Sequence, residues 1–345
     1  MIKDVIDLTK INKILIGVIV FLLIMVVFLY KKTLDNKRVL LLEEKENKEI
    51  SRLAEALKSK EELGIINKLY QENNIYYFQI DEDMEFILNS DVFQREKIDK
   101  DGLFDGYRYI NNQKEIKFEY RYEYVHYPKL AILIDDVGMN TKVAENFVEL
   151  GMKLNYAVLP FLPRSLEAGE ILRKAGHTTI LHMPMEGSNE NLNKKTEGLL
   201  HSKMPAQEIK RTFDKAMDNV GNLKGFNNHM GSVFTSNEEK IKTLLDYIKD
   251  KDLYFIDSNT SRNTKAHEIA KKIGIPTFKC SGFLDNSNKV EDIEKEIVRF
   301  INMAKDREKV LVIGHYHQNM VEALKNKKEF IEKSGVKLVY IEEIL

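Results

Sequence analysis

Residues 130–138 read LAILIDDVG, an apolar run that ends in two adjacent aspartates. Similar apolar runs recur towards the C-terminus, with amphipathic, helix-like stretches between most of them; they lie at 154–160, 178–184, 225–230, 253–258, 276–280, 309–315 and 336–341. Strands that alternate with helices at this spacing indicate parallel strands joined by crossover helices. Seven or eight such units are enough to close, or nearly close, a (β/α) barrel. We therefore predict an α/β barrel of this kind over residues 128–345.

Five of the predicted strands end in an acid or a histidine. These strand-end residues are Asp135 with Asp136, His182, His229, Asp257 and His315. The carboxyl ends of the strands in a parallel barrel meet on one face, which is where active sites are built. Each residue alone would fit a helix cap or a loop equally well, but their shared placement predicts one site. His317, two residues after His315, fits either that site or a solvated loop.

A carboxylate with two imidazoles is a ligand set that suits Zn²⁺ or a similar divalent ion. A second carboxylate can then act as a base, and a histidine across the site can protonate a leaving group. Asp135 and Asp136 suit this division, because neighbouring side chains of extended backbone point to opposite sides. One would bind metal while the other faces the substrate.

The composition argues against several other classes of protein. With 53 basic and 54 acidic residues, the net charge is −1, which does not suit a nucleic-acid-binding protein. The single cysteine, Cys280, excludes a Cys-rich zinc site and has no evident His/Asn partner, so we assign it to the core. The motifs GxSxG, GxxxxGK[ST] and GxGxxG are absent from strand–helix turns, which argues against serine hydrolases and nucleotide-binding proteins.

The N-terminal region contains an apolar segment, ILIGVIVFLLIMVVFLY, at residues 14–30. As a helix it spans roughly 25 Å, close to the thickness of a bilayer core. We predict a transmembrane anchor within residues 1–32. No small-residue cleavage site follows the segment, so a cleaved signal peptide is disfavoured. Lysines and arginines flank it almost equally, and the positive-inside rule therefore does not fix its orientation.

Two further segments separate the anchor from the barrel. Residues 33–72 are rich in Lys and Glu and contain no proline, which predicts a charged helical stalk. Its irregular heptad pattern makes dimerisation through this helix a hypothesis. Residues 73–127 contain aromatic, alternating stretches such as IKFEYRYEYV (116–125), which predict a small α+β linker module.

The C-terminal motifs also resemble a known family. In order, LAILIDDVG, AGHTTILHMPME, GFNNHMGSVFT, LYFIDSNTS, GFLDN and IGHYH are similar to the divergent polysaccharide deacetylases. These are distant relatives of the carbohydrate esterase family 4 deacetylases, which share the nodulation-type deacetylase homology domain. The resemblance covers residues 128–345 and implies a distorted (β/α) barrel.

The resemblance implies roles for individual residues. The Asp-Asp pair after the first strand implies that Asp135 is the catalytic base and Asp136 a metal ligand. The family's His-Ser/Thr-x-x-His motif corresponds to residues 182–186, where His182 is kept as a ligand but Glu186 replaces the second histidine. Either Glu186 ligates or His229 fills the vacancy; we prefer His229, because it keeps an imidazole ligand. His315 corresponds to the general acid.

The Arg-x-Pro-Tyr and Asp-x-x-Asp-Trp motifs of the classical deacetylases are absent from this sequence. We expect other polar residues to orient the substrate in their place: Asn227, Asn228, Asp257 and Asp285. Arg164, in PFLPRS, is a further candidate for binding a sugar hydroxyl or carboxylate.

Together these features predict a membrane-anchored, metal-dependent hydrolase that removes acetyl groups from a cell-envelope glycan. We expect Zn²⁺ as its metal, with Co²⁺ or Mn²⁺ as alternatives. Acetylated structural glycans lie outside the cytoplasm, so we expect a single-pass cytoplasmic (inner) membrane protein with an external C-terminal domain. Because the second histidine is replaced, the alternative is a catalytically inactive glycan-binding or envelope-organising protein on the same fold.

Overall fold

The computed structural model describes residues 8–72, 74–81, 86–101, 104–221 and 223–345. The chain divides into two compact units, Met1–His126 and Tyr127–Leu345.

The first unit contains one long helix and a five-stranded sheet. Its elements are α1 (Leu8–Glu62), β1 (Asn67–Glu72), β2 (Ile75–Asp81), β3 (Gln94–Asp101), β4 (Phe104–Ile110) and β5 (Ile116–Val125), and the strand order is β1-β2-β5-β4-β3. Alternation along β5 places Phe118, Tyr120 and Tyr122 on one buried face. Leu53 and Leu57 of α1 belong to the same apolar cluster as these rings.

The predicted helical stalk over 33–72 is shorter than expected. Helix α1 ends at Glu62, and Gly64 follows with a left-handed φ of 68°. The chain then forms β1, in which Tyr70 pairs with Tyr77 of β2 and their rings stack. Cross-strand pairing therefore overrides the helical pattern of the last residues of this segment.

The apolar segment predicted at 14–30 lies within α1, and its side chains from Val18 to Tyr30 are exposed. Over the part of the chain that the structure describes, no helix meets the length and apolarity that crossing a membrane requires. The predicted transmembrane span is therefore not confirmed. Residues 1–7, and the side chains of residues 8–17, lie outside the described residues.

The second unit is a nearly closed parallel barrel surrounded by helices. Its strands are β6 (Lys129–Val137), β7 (Asn155–Val158), β8 (Thr178–Met185), β9 (Gly225–Met230), β10 (Tyr254–Asp257), β11 (Thr277–Lys279), β12 (Lys309–His315) and β13 (Lys337–Leu338). The helices are α2 (Lys142–Glu149), α3 (Ser165–Lys174), α4 (Glu190–Asn193), α5 (Ala206–Val220), α6 (Glu238–Ile248), α7 (Ala266–Ile273), α8 (Val290–Arg307) and α9 (Gln318–Glu332). Seven strands follow the order β11-β10-β9-β8-β7-β6-β12, and β13 pairs with β6 alone. The predicted parallel barrel is confirmed.

The segment after β11 closes most of the gap between β11 and β12. Ser281 N donates to Leu311 O at 2.8 Å, and Leu284 N donates to Ile313 O at 2.7 Å. Ile313 N in turn donates to Gly282 O at 3.0 Å. We call residues 281–285 the closing segment.

The strands separate an inner core from an outer one. In β6, Ala131 and Leu133 pack with the barrel interior, whereas Leu130 and Ile132 pack with the cluster that contains the helices. This alternation is the two-residue period of a strand that is covered on both faces. The uninterrupted apolar run LAILI follows directly from that double burial.

Asn155 at the start of β7 ties the C-terminal segment to the barrel. Its buried amide donates to Ile132 O (3.1 Å) and Val339 O (3.2 Å) and accepts from Ile341 N (2.9 Å). We expect Asn155→Ala to lower the free energy of unfolding by about 2–4 kcal/mol, because it leaves buried backbone groups without partners. Urea unfolding of the full chain measures the change. Asn302→Ala, at an exposed position of α8, is the matched control, and equal unfolding midpoints for the two variants would contradict the prediction.

Candidate metal and catalytic site

The two aspartates lie at an irregular end of β6. The pairing register between β6 and β7 shifts between Ile134 and Val137, and Asp136 has a left-handed φ of 65°. Non-glycine residues adopt this conformation infrequently, and aspartate is among those that tolerate it best. Asp136 Oδ1 and Asp135 Oδ2 lie 3.2 Å and 3.5 Å from the same atom, His182 Nε2. The prediction that their side chains point to opposite sides is wrong here, because the backbone is not extended at Asp136.

Three potential ligand atoms converge near the carboxyl ends of β6, β8 and β9, with His182 three residues before the last residue of β8. His229 Nδ1 lies 3.0 Å from Asp136 Oδ1 and 3.1 Å from His182 Nε2. With the 3.2 Å between Asp136 Oδ1 and His182 Nε2, these atoms form a nearly equilateral triangle. Ligand atoms of a tetrahedral ion with bonds of about 2.0 Å lie about 3.3 Å apart, so the triangle has nearly the dimensions of one face of a zinc site.

The chemistry of this triad also fits a divalent ion. Asp136 Oδ1 is buried and faces the two imidazole nitrogens without a well-aligned hydrogen bond to any described residue, an arrangement that a cation would satisfy. Burial disfavours the charged Asp136 carboxylate, but the two imidazoles outweigh that effect and hold its pKa well below the usual range. His182 is buried, whereas the side chains of Asp136 and His229 are 38% and 22% exposed. One side of the triad is therefore accessible, as a catalytic rather than a structural metal site requires.

Asn227 orients both His182 and Asp135. Its amide nitrogen donates to the two Asp135 oxygens at 2.9 and 3.1 Å, so its Oδ1 faces His182 Nδ1 at 2.7 Å. Because a carbonyl oxygen only accepts, Nδ1 carries the imidazole proton and Nε2 keeps its lone pair for a metal. Burial raises the pKa of Asp135.

A second cluster, the Asp285 cluster, comprises Asp285, His315 and His317. His315 Nδ1 lies 2.9 Å from Asp285 Oδ1, and His317 Nε2 lies 2.9 Å from Asp285 Oδ2. The Asp285 side chain is only 2% exposed. Burial disfavours protonation of His315, but the hydrogen bond and charge of Asp285 outweigh it and raise its pKa to about 9. A histidine that holds its proton in this way suits a general acid.

Asn228 and Asp257 hold the backbone of the strand ends. Asn228 accepts from Ser258 N and donates to Met230 O, at 2.9 and 2.8 Å. Asp257 is fully buried and accepts from Asn259 N, Thr264 Oγ1 and His267 N. The structure therefore gives these two predicted orienting residues contacts within the protein itself.

Glu186 and Arg164 lie apart from the triad. Glu186 accepts from Ser202 N at 2.7 Å and faces His201 Nε2 at 3.2 Å. It follows the last residue of β8, and its backbone pairs with Leu200, so it belongs to the loop rather than to the strand end. Arg164 is exposed and pairs with Glu167. Of the two candidates for the third ligand, the structure brings His229 to the triad.

Burial of the Cys280 thiol raises its pKa to about 12, which agrees with an unreactive core residue. Sequence reasoning left His317 undecided and missed Phe283, whose ring lies parallel to that of His315 at 6.1 Å. The His-x-His spacing at the end of a strand is the signal that points to His317. Phe283 has no comparable signal, because its contact depends on the closing segment.

Comparisons with known proteins agree with this architecture. A family model described as divergent polysaccharide deacetylase matches residues 132–345. The uncharacterised protein YibQ of Escherichia coli K12 is 34% identical over 197 residues, which cover 57% of this chain and 61% of YibQ. An uncharacterised protein of Haemophilus influenzae is 30% identical over 196 residues, which cover 57% of this chain and 69% of that protein. The chain thus spans about three fifths of the length of YibQ.

Among solved structures, the uncharacterised protein ATU2773 of Agrobacterium tumefaciens C58 is similar, with a TM-score of 0.60 at 16% identity. The superposition covers 64% of this chain and 90% of that protein. At this identity the likeness supports the barrel fold alone.

Proposed function

Because the chain belongs to the divergent polysaccharide deacetylase family, we propose that it is a metal-dependent hydrolase that removes N- or O-linked acetyl groups from a cell-envelope glycan. The observation that carries the proposal is the triangle of Asp136 Oδ1, His182 Nε2 and His229 Nδ1, with edges of 3.0–3.2 Å. The buried Asp135 and the Asp285 cluster supply the two proton-transfer groups that such a reaction needs.

The triad would hold a divalent cation, with Zn²⁺ preferred and Co²⁺ or Mn²⁺ as alternatives. Such an ion polarises a carbonyl oxygen and lowers the pKa of water, which is the chemistry that acetyl hydrolysis requires. The lone pair of His182 Nε2 is directed by the Nδ1 hydrogen bond to Asn227. This second contact fixes the ring and its tautomer before the ion binds.

Asp135 would accept the proton of the attacking water. Its carboxylate lies 3.5 Å from His182 Nε2, beside the triad, and Asn227 holds both of its oxygens. Burial raises its pKa, which makes it a stronger base than an exposed aspartate. Asp135 would therefore hold the proton of the water more strongly than a solvated carboxylate would.

His315 would donate a proton to the departing amine or alkoxide. Its Nδ1 is held by Asp285, so proton donation falls to Nε2. Nε2 has no hydrogen-bond partner within the described part of the chain, and the side chain is 40% exposed. A leaving group would thus find this nitrogen accessible.

Deacetylation should decline at alkaline pH as His315 loses its proton. The pKa of His315 is raised to about 9, so the acid form persists through neutrality and is lost as the pH rises through that value. We expect kcat/KM to fall above about pH 9 in wild type and this fall to disappear in His315→Gln, with a lower plateau. A pH profile of acetate release measures it. If kcat/KM still falls above about pH 9 in His315→Gln, a group other than His315 is responsible for the fall.

The function is tested by acetate release from the full chain loaded with Zn²⁺, Co²⁺ or Mn²⁺. Oligosaccharides of N-acetylglucosamine probe N-deacetylation, and O-acetylated oligosaccharides probe ester cleavage. We expect metal-dependent acetate release from one of the two. Glycan binding without acetate release would instead support the inactive glycan-binding alternative, and neither binding nor release would reject both.

We also propose that residues 14–30 anchor the chain in the cytoplasmic membrane with the barrel outside the cytoplasm. The sequence of this segment and the exposed apolar side chains from Val18 to Tyr30 support the proposal. Alkaline phosphatase fused to the C-terminus should be active if the orientation is correct and inactive if it is reversed.

Dimerisation through the helical part of residues 33–72, which ends at Glu62, is a separate proposal. Leu34 and Leu41 of α1 lie seven residues apart, which is the spacing of contact positions in a coiled coil. Both side chains are exposed in the single chain, so a second helix could cover them. Cross-linking at a cysteine introduced at residue 41 would detect the pair, and sedimentation as a monomer would reject it.

A further inference from the structure

Asp285 is shared by two imidazoles, of which the proposed mechanism uses only His315. We infer that His317 is a positioning residue that holds Asp285, and through it His315, in the geometry for proton donation. This inference rests on the proposed function only in what it says about turnover. The hydrogen-bonded arrangement itself stands on the contacts of three side chains.

The tautomer of His317 follows from its position at the start of α9. Its Nδ1 accepts a hydrogen bond from Met320 N at 3.1 Å and thereby caps the helix. An accepting Nδ1 carries no proton, so in the neutral ring the proton lies on Nε2. Nε2 therefore donates to Asp285 Oδ2 at 2.9 Å.

His317 completes the set of donors around a nearly buried carboxylate. Asp285 Oδ2 also accepts from His315 N at 2.7 Å, and Oδ1 faces His315 Nδ1 at 2.9 Å. A buried carboxylate requires such donors, and each one restricts its rotation. Without His317, only His315 among the described residues would hold the carboxylate, and His315 is the residue that the carboxylate must orient.

Helix capping does not by itself explain a histidine at this position. Ser, Thr, Asp and Asn are the preferred N-cap residues, and all of them are shorter than histidine. The imidazole accepts a hydrogen bond from Met320 N of the helix through Nδ1 and donates one to Asp285 through Nε2. One side chain thus connects the start of α9 to the proposed acid at the end of β12.

Two substitutions separate the capping contact from the contact with Asp285. In His317→Asn, the amide oxygen stands where Nδ1 is and keeps the cap, but the side chain is too short to reach Asp285. In His317→Gln, the amide nitrogen stands where Nε2 is and keeps the donor to Asp285, while the favourable cap is lost. The pair therefore tests the two contacts one at a time.

Two readouts apply to both variants in the Zn²⁺-loaded full chain. The first is the titration of His315, followed by NMR with ¹³C-labelled histidine. The second is kcat and KM for acetate release from N-acetylglucosamine oligosaccharides. The largest charges that act on His315 are those of Asp285, Asp135 and Asp136, and both variants keep all three.

We expect His317→Asn to lower kcat about tenfold with little change in KM, because a misoriented acid affects the chemical step rather than binding. The titration of His315 should move downward by up to about one unit, since a carboxylate that His317 no longer holds stabilises the imidazolium less well. His317→Gln should restore most of the lost kcat and the wild-type titration, although its melting temperature falls.

Equal effects of both variants, or a His315 titration that is unchanged in His317→Asn, would overturn the inference and leave His317 as a helix cap. If wild type releases no acetate but the titration shifts only in His317→Asn, the proposed function fails while the positioning of His315 by His317 stands. A titration shift in His317→Gln alone would also overturn the inference.

Discussion

Replacing His182 with alanine should abolish both metal binding and acetyl release. His182 is the buried member of the triad, and its Nε2 lies 3.2 Å from Asp136 Oδ1 and 3.1 Å from His229 Nδ1. Loss of a metal that supplies several kcal/mol of transition-state stabilisation lowers kcat/KM by roughly 10³-fold or more. Elemental analysis of the purified chain and acetate release measure the two effects.

His201→Ala is the matched control for this experiment. His201 is an imidazole of the same domain, but it pairs with Glu186 outside the triad. We expect this variant to retain both metal and activity. If His201→Ala lost the metal and His182→Ala kept it, the Glu186 side of the domain would hold the ion and the assigned triad would be wrong.

Asp135→Asn should remove most of the activity and leave the metal in place. The carboxamide has nearly the same size and can still accept from Asn227, but it cannot take up a proton at neutral pH. General bases contribute about 10²–10⁴-fold, so we expect kcat to fall by that factor while metal content is unchanged. Acetate release and elemental analysis on the same sample check it.

Two further Asp→Asn variants serve as controls for Asp135→Asn: Asp136→Asn at a proposed metal ligand and Asp246→Asn at the surface. Asp136→Asn removes a charged ligand and should lower metal content, whereas Asp246, exposed on α6 and paired with Lys242, should tolerate the change. Full activity of Asp135→Asn would show that another group accepts the proton. Loss of metal in Asp135→Asn would place its carboxylate among the ligands instead.

The barrel could be predicted from the sequence because strands that are buried on both faces have a recognisable pattern. Strands covered on both faces become runs such as LAILI, and amphipathic helices must lie between them. The same logic placed Asp136, His182 and His229 together, since their strand ends share one face of any parallel barrel. These features depend only on topology, which periodicity encodes.

Other features depend on tertiary pairing that periodicity does not encode. The left-handed backbone at Asp136 arises from a register shift against β7, so the sequence alone predicted extended geometry there. Glu186 fits the family motif by spacing, but its backbone N–H donates to Leu200 O, which places the residue in the loop after β8. Tyr70 lies in a stretch that reads as helix, and only its partner strand makes it part of a sheet.

The triad and the Asp285 cluster are supported differently by the barrel. The triad lies on β6, β8 and β9, within the continuous run of strands from β6 to β9. Asp285 lies on the closing segment and His315 on β12. Only a short run of backbone hydrogen bonds joins these two elements, and β11 itself does not pair with β12. We expect brief opening between the closing segment and β12 to separate His315 from Asp285 and to leave the triad assembled, so amide hydrogen exchange should be faster at Ser281 and Leu284 than along β8.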